Sequence, residues 1–132
     1  MSATSRSISR RLSPQDARLF YGVMCHYCDA TSASIDHVVP TFLGGNDDLI
    51  NLVPACIDCN NAKGKSWPGC SCDFCAAAIA HAIAINGPEI LRRLKDEDAR
   101  AAKTIELYES SLPRLVAKRH VLASAIEVVA AS

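Results

Sequence analysis

The chain has 132 residues, 49% of them hydrophobic and spread along its whole length, so it is no disordered tail or linker. That length fits one domain with a modest core, or a small module with an appended helical piece. Fourteen basic residues cancel fourteen acidic ones, which excludes a chain that is basic throughout, and any surface that neutralises phosphates must be local.

Residues 1–12 are rich in Ser and Arg and carry Arg6, Arg10 and Arg11. They read as a flexible basic arm, either a solvated terminus or a phosphate-touching segment. They lack the apolar stretch that follows the charges of a secretory signal. No run long enough to span a bilayer is read elsewhere, so a cytoplasmic protein without a membrane partner is expected. Ser13-Pro14 opens a helix, with serine as N-cap, proline in the first turn and Asp16 behind it; Leu19, Phe20 and Val23 would supply its inner face.

Gly22 leads into Cys25-His26-Tyr27-Cys28, and a second CxxC, Cys56/Cys59, follows after an interval of 27 residues. A two-residue gap lets both sulfurs of a tight turn face one ion, and two such knuckles complete the tetrahedron that zinc prefers. Seven cysteines grouped by twos and threes in a reducing compartment point the same way, to metal rather than disulfides. The bland reading is four reduced thiols packed as small hydrophobes. Four thiolates on one zinc would add two negative charges to a chain that has no basic excess.

Between the knuckles the pattern changes period. Ala33 to Val39 reads as a strand bearing Asp36-His37, and Pro40 ends it. Thr41 to Leu49, with Gly44-Gly45-Asn46-Asp47, reads as a loop; Asn51-Leu52-Val53 reads as a short return strand. A short helix follows from Cys56 or Ile57 through Lys63, stopped by Gly64.

Cys70, Cys72 and Cys75 form a third group. Their spacing suits a second zinc with a fourth ligand from His81, His26, an Asp or water, or three reduced thiols. A cross-brace of eight ligands through His37 fails, because no cysteine precedes His37 by one to three residues. From Asp73 onward the chain reads as helical. Ala76 to Ile85 is apolar on most sides, hence a buried helix, closed by Asn86-Gly87-Pro88. Pro88 to Leu112 carries Ile90, Leu94, Ala101, Ile105, Tyr108 and Leu112 on one stripe, and Arg114 to Ala130 offers Leu115, Leu122, Ile126 and Val129. These two helices could form an antiparallel hairpin, packing on the first module or pairing two copies into a homodimer. Arg92, Arg93 and Lys95 are followed at once by Asp96, Glu97 and Asp98 and read as a solvated face.

The run CxxC, Ile35-Asp36-His37-Val38-Val39-Pro40, Gly44-Gly45, Asn51-Leu52, CxxC-Asn60 and Lys63 resembles the zinc-containing branch of the HNH endonucleases, which have the ββα-metal fold. Asn60 in the last motif position makes the likeness one to the His-Asn-Asn variant. The expected fold class is therefore α+β, with a basic arm at 1–12, an HNH module at 13–69 and a helical extension at 70–132. The resemblance implies hydrolysis of phosphodiester bonds, with DNA as partner. Such hydrolysis needs a deprotonated water, a counter-charge for the pentacoordinate phosphate and help for the leaving oxygen. His37 is the expected general base, since imidazole titrates near neutral pH. Asp36 and Asn60, both oxygen donors, would hold a hard ion, Mg²⁺ or Mn²⁺. Asn51 would brace the His37 strand through its side-chain hydrogen bonds. Lys63, Lys65, Arg18 and the arm arginines are the expected phosphate contacts. Two other classes stay open: a non-catalytic zinc-stabilised nucleic-acid-binding module, and a protein-interaction adaptor acting through the C-terminal helices.

Overall fold

The computed structural model describes residues 13–108 and 112–132. Arg6, Arg10 and Arg11 lie outside the described residues. The chain divides into one compact unit ending at Ala82 and a second running from Ile83 to Ser132.

The first unit opens with the expected cap. Ser13 Oγ accepts the Asp16 N–H at 3.2 Å, and Asp16 Oδ2 accepts the Ser13 N–H at 3.1 Å, closing a capping box on helix α1 (Pro14–Ala17). The helix lasts one turn and gives way to a 3₁₀ turn over Arg18–Phe20. The inner face expected from Leu19 and Val23 does not form; Leu19 is 72% exposed and Val23 is exposed too. Ser32 takes this backbone over instead: its carbonyl accepts from Gly22, its hydroxyl accepts from Val23 and donates to Phe20 O, and Met24 bridges Thr31. Gly22, at φ 74, makes the turn that this pairing requires.

Strands β1 (Ser34–His37) and β2 (Leu52–Ala55) pair antiparallel, with Ser34 opposite Ala55 and His37 opposite Leu52. Pro54 cannot donate to a ladder, and it stands in a sheet of two strands where each has an open edge. Its carbonyl accepts the His26 N–H at 2.8 Å, so the first knuckle lies along that edge. The connection between the strands contains 3₁₀ turns at Thr41–Leu43 and Leu49–Asn51. Gly44 sits at φ 99, and a Cβ on Gly45 would lie 1.8 Å from Val39 O, so neither position accepts a side chain without distortion. Helix α2 (Ile57–Lys63) starts on Cys56, whose Sγ accepts the Cys59 N–H, and stops at Gly64.

Helix α3 (Asp73–Leu107) corrects three expectations. Asn86-Gly87-Pro88 does not end a helix; it kinks one, with Asn86 alone leaving helical geometry at φ −141 and ψ 27. Pro88 then falls in the first turn after the break, where its missing N–H costs least. Nor is the stretch before the kink buried on most sides. Only Cys75, Ala78 and Ala82 are buried there, and Ile85 is 56% exposed. A single face suffices, because the helix packs by Cys75 and Ala78 onto Val38 and Val53 and meets no second layer in that cluster. By length and composition α3 could cross a membrane, contrary to the reading that no such run exists. Its Ala and Ile content accounts for this, and one side of it is packed on the sheet.

In the second unit, Ile90, Leu94 and Ala101 are buried on α3, and Leu122, Ala125 and Val129 on helix α4 (Leu112–Ala130). Tyr108, expected on the stripe, lies beyond the helix end at Leu107 and is exposed; the Leu112 side chain is outside the described residues. Arg119 to Asp98 at 2.9 Å and Lys118 to Glu97 at 3.3 Å tie the two helices. Arg92 spends its charge on Glu89 and Asp96. The class is thus α+β, a two-stranded module with two cysteine-rich clusters and C-terminal helices.

Candidate active site and metal centres

Strand β1 and helix α2 bring Asp36, His37 and Asn60 to one cleft of about 180 Å³, also lined by Phe42, Gly64 and Lys65. His37 closes β1, and its Nε2 lies 2.8 Å from Asp47 Oδ1 on the connecting loop. Asp36, one residue earlier, is buried. Its carboxylate accepts the Tyr27 hydroxyl at 2.5 Å and meets the Lys63 ammonium at 3.2 Å and 3.3 Å from its two oxygens. Burial first, then the bond to Asp36 and its charge, push the Tyr27 phenol well above its usual range, so Tyr27 stays a donor. The Asn60 amide nitrogen donates to Ser34 Oγ at 2.9 Å and, at 3.5 Å, to Ile35 O, which leaves its oxygen out of both bonds.

Asn51 stands outside the cleft and is fully buried. Its Oδ1 accepts the Val39 N–H at 2.9 Å, and its Nδ2 donates to Val39 O at 3.0 Å and Asn46 O at 2.8 Å. One amide thus clips the end of the His37 strand to the loop that carries Asp47.

Lys63 is placed differently from the expectation. Its side chain is 11% exposed and donates to His37 O at 2.7 Å as well as to Asp36, so it faces inwards rather than toward a phosphate. A buried carboxylate without a counter-charge is costly, and Lys63, on the helix facing β1, supplies one. Lys65 is exposed at the cleft, its ammonium 4.8 Å from the centre of the Phe42 ring. Arg18 is exposed on its 3₁₀ turn and does not line the cleft. Sequence reasoning missed Tyr27 and Asp47. The only signals were a tyrosine inside a metal knuckle and an acid in a Gly-rich loop, and neither names its partner.

The cysteines form two groups, Cys25/Cys28/Cys56/Cys59 and His26/Cys70/Cys72/Cys75; in each, the four ligand atoms lie within 4.8 Å of one another. His81 is not the fourth member of the second, because its Nε2 pairs with Asp48 at 2.9 Å. All seven thiols are free of disulfides. In the first group Cys28 and Cys56 sulfurs stand 3.7 Å apart. Zinc–sulfur bonds of about 2.3 Å at tetrahedral angles put sulfurs about 3.8 Å apart, so the group fits one zinc ion. Burial opposes ionisation of Cys25, yet N–H donors from Cys56, Tyr27 and Cys28 bring its thiol down to about 6. Cys59 is pushed up to about 12, chiefly by hydrogen bonds with the Cys56 and Cys28 thiols and then by burial. Four thiols this close cannot all ionise against each other, and a divalent cation removes that conflict.

The fold and the sites define a ββα module braced by cysteine knuckles and bearing an Asp-His pair on its first strand. Residues 25–71 match the family model described as HNH endonuclease; residues 72–132 lie beyond the match. No curated protein and no solved structure matches the chain.

Proposed function

We propose that the chain is a metal-dependent endonuclease that hydrolyses phosphodiester bonds in DNA, with His37 as general base. The observation that carries this reading is the meeting of Asp36, His37 and Asn60 in one cleft within a segment that matches the HNH family. Asp47, an acceptor only, draws the imidazole proton to Nε2 and leaves the Nδ1 lone pair for a water. Asn51 holds the strand end and the loop in register, so that base and orienting carboxylate keep their distance. Proton removal of this kind is worth roughly 10²–10⁴-fold in rate.

Asp36 and Asn60 would hold the divalent cation. One carboxylate and one amide oxygen on a solvent-reached cleft suit Mg²⁺ or Mn²⁺, and the Lys63 ammonium already on Asp36 must then be shared or displaced. When bound, the cation supplies charge neutralisation at the phosphate and stabilisation of the leaving oxygen. Lys65, exposed at the cleft, is the phosphate contact we assign first, with Arg18 and the arm residues Arg6, Arg10 and Arg11 extending the surface. A cytoplasmic location without a membrane partner, and pairing through the C-terminal helices, belong to the same proposal.

The Lys63–Asp36 pair favours one second reading, a nucleic-acid-binding module that has replaced its cation by a lysine and no longer cuts. Plasmid cleavage with Mg²⁺ or Mn²⁺, then with EDTA, decides between them. Metal-dependent cutting that His37→Ala reduces at least a hundredfold, at unchanged zinc content, supports the nuclease. A zinc-loaded, folded protein that binds DNA without cutting it, and gains Mn²⁺ affinity in Lys63→Met, selects the second reading.

A further inference from the structure

We infer that His26, Cys70, Cys72 and Cys75 form a second zinc site, separate from the four-cysteine site and lying partly beyond the family's segment. Cys72 and Cys75 follow the last matched residue, so nothing in the HNH pattern asks for them. The inference does not depend on the nuclease reading.

His26 Nε2 stands 3.7 Å from Cys70 Sγ, 3.6 Å from Cys72 Sγ and 3.3 Å from Cys75 Sγ. Zinc bonds of about 2.3 Å to sulfur and 2.0–2.1 Å to imidazole, at tetrahedral angles, place nitrogen and sulfur about 3.6 Å apart. The three edges from His26 therefore have the lengths of a tetrahedron about one ion, and all four ligand atoms lie within 4.8 Å of one another; a multi-iron cluster would need them farther apart. Packing of reduced thiols does not account for the whole group: Cys75 and Cys70 pack with Val38 and Val53, but Cys72 is exposed. Three thiolates and a neutral imidazole around a divalent ion leave one net negative charge, a donor set that zinc accepts in structural sites.

The ligands come from separate places. His26 belongs to the first knuckle, Cys70 and Cys72 to the loop after α2, and Cys75 to the first turn of α3. The ion would pin the start of α3 to the knuckle across 44 to 49 residues of sequence, beside the contact of Cys75 and Ala78 with Val38 and Val53. Tyr27, the neighbour of His26, would then be fixed from both sides, with its hydroxyl on Asp36.

The test is zinc content of the full-length protein by mass spectrometry under native conditions, with X-ray absorption to count the ligands. Wild type is expected to hold two zinc ions per chain, averaging 3.5 sulfurs and 0.5 nitrogen per ion, the mean of a four-sulfur and a three-sulfur site. His26→Ala and Cys72→Ser should each drop to one ion, and His26→Cys should keep two while raising the sulfur count to four. One ion per wild-type chain overturns the inference, as does retention of two ions by both His26→Ala and Cys72→Ser. The wild-type measurement decides even where the variants fail to fold, and neither outcome bears on DNA cleavage by His37.

Discussion

Asn51 shows how much a single side chain carries here. Its three hydrogen bonds are made in a fully buried position, and truncation would strand the Val39 N–H, Val39 O and Asn46 O without water. Each stranded group costs about 1–3 kcal/mol, so Asn51→Ala is expected to lose at least about 2 kcal/mol in urea denaturation of the zinc-loaded protein. A loss below about 0.5 kcal/mol would show that the loop re-forms its bonds elsewhere. Tyr27→Phe removes only the donor to Asp36 and is expected to lower the cleavage rate about tenfold while zinc content holds; an unchanged rate would leave Asp36 to Lys63 alone. At this scale the sequence was uneven. Asp36, His37, Asn51 and Asn60 stood in a recognisable order, whereas Tyr27 and Asp47 reach partners nine and ten residues away across turns whose shape only folding sets. Lys63 was legible as a lysine near a helix end, but the burial of Asp36 that draws it inwards was not.

Among the elements, the loop between β1 and β2 is the least forgiving. Gly45 lies so close to Val39 O that a methyl group would force the loop away from the strand end it shares with His37. Gly45→Ala is expected to cost at least about 2 kcal/mol in the same denaturation experiment and to reduce cleavage with it, by moving Asp47 off His37. Wild-type stability in that variant would refute the close approach. The Gly44-Gly45 pair could be read as a loop from composition alone, since glycine marks turns; that the second glycine makes room for a carbonyl could not. The same limit explains α3. Asn86-Gly87-Pro88 carries every signal of a helix end, yet burial resumes at Gly87 and continues at Ile90 and Leu94, and a kink satisfies both demands. Likewise Ser13-Pro14 predicted where α1 begins, while its length was decided by Ser32, a residue from a different segment.

On the scale of the whole molecule, the two units rest on different chemistry. Among the described residues, the one ending at Ala82 has a sheet of two strands and small apolar clusters around its cysteines, the kind of small core that a bound metal commonly supports. From Ile83 on, the helices have buried stripes and ion pairs of their own. Strong chelation is therefore expected to abolish the near-ultraviolet circular dichroism of Tyr27, which packs on both cysteine clusters, while most of the helical signal persists. Loss of both signals in proportion would mean that the metal sites hold the helices as well.

The knuckle Cys25-His26-Tyr27-Cys28 sends its four side chains to three different places: the outer two to one cluster, His26 to the other, Tyr27 to Asp36. If both clusters hold zinc, ordering this turn for the first ion removes part of the entropy that the second would otherwise have to overcome, and the converse holds equally. Uptake should then be cooperative. Titrated with limiting zinc, the protein is expected to divide mainly between empty and doubly loaded molecules, with singly loaded chains scarcer than two independent sites would give.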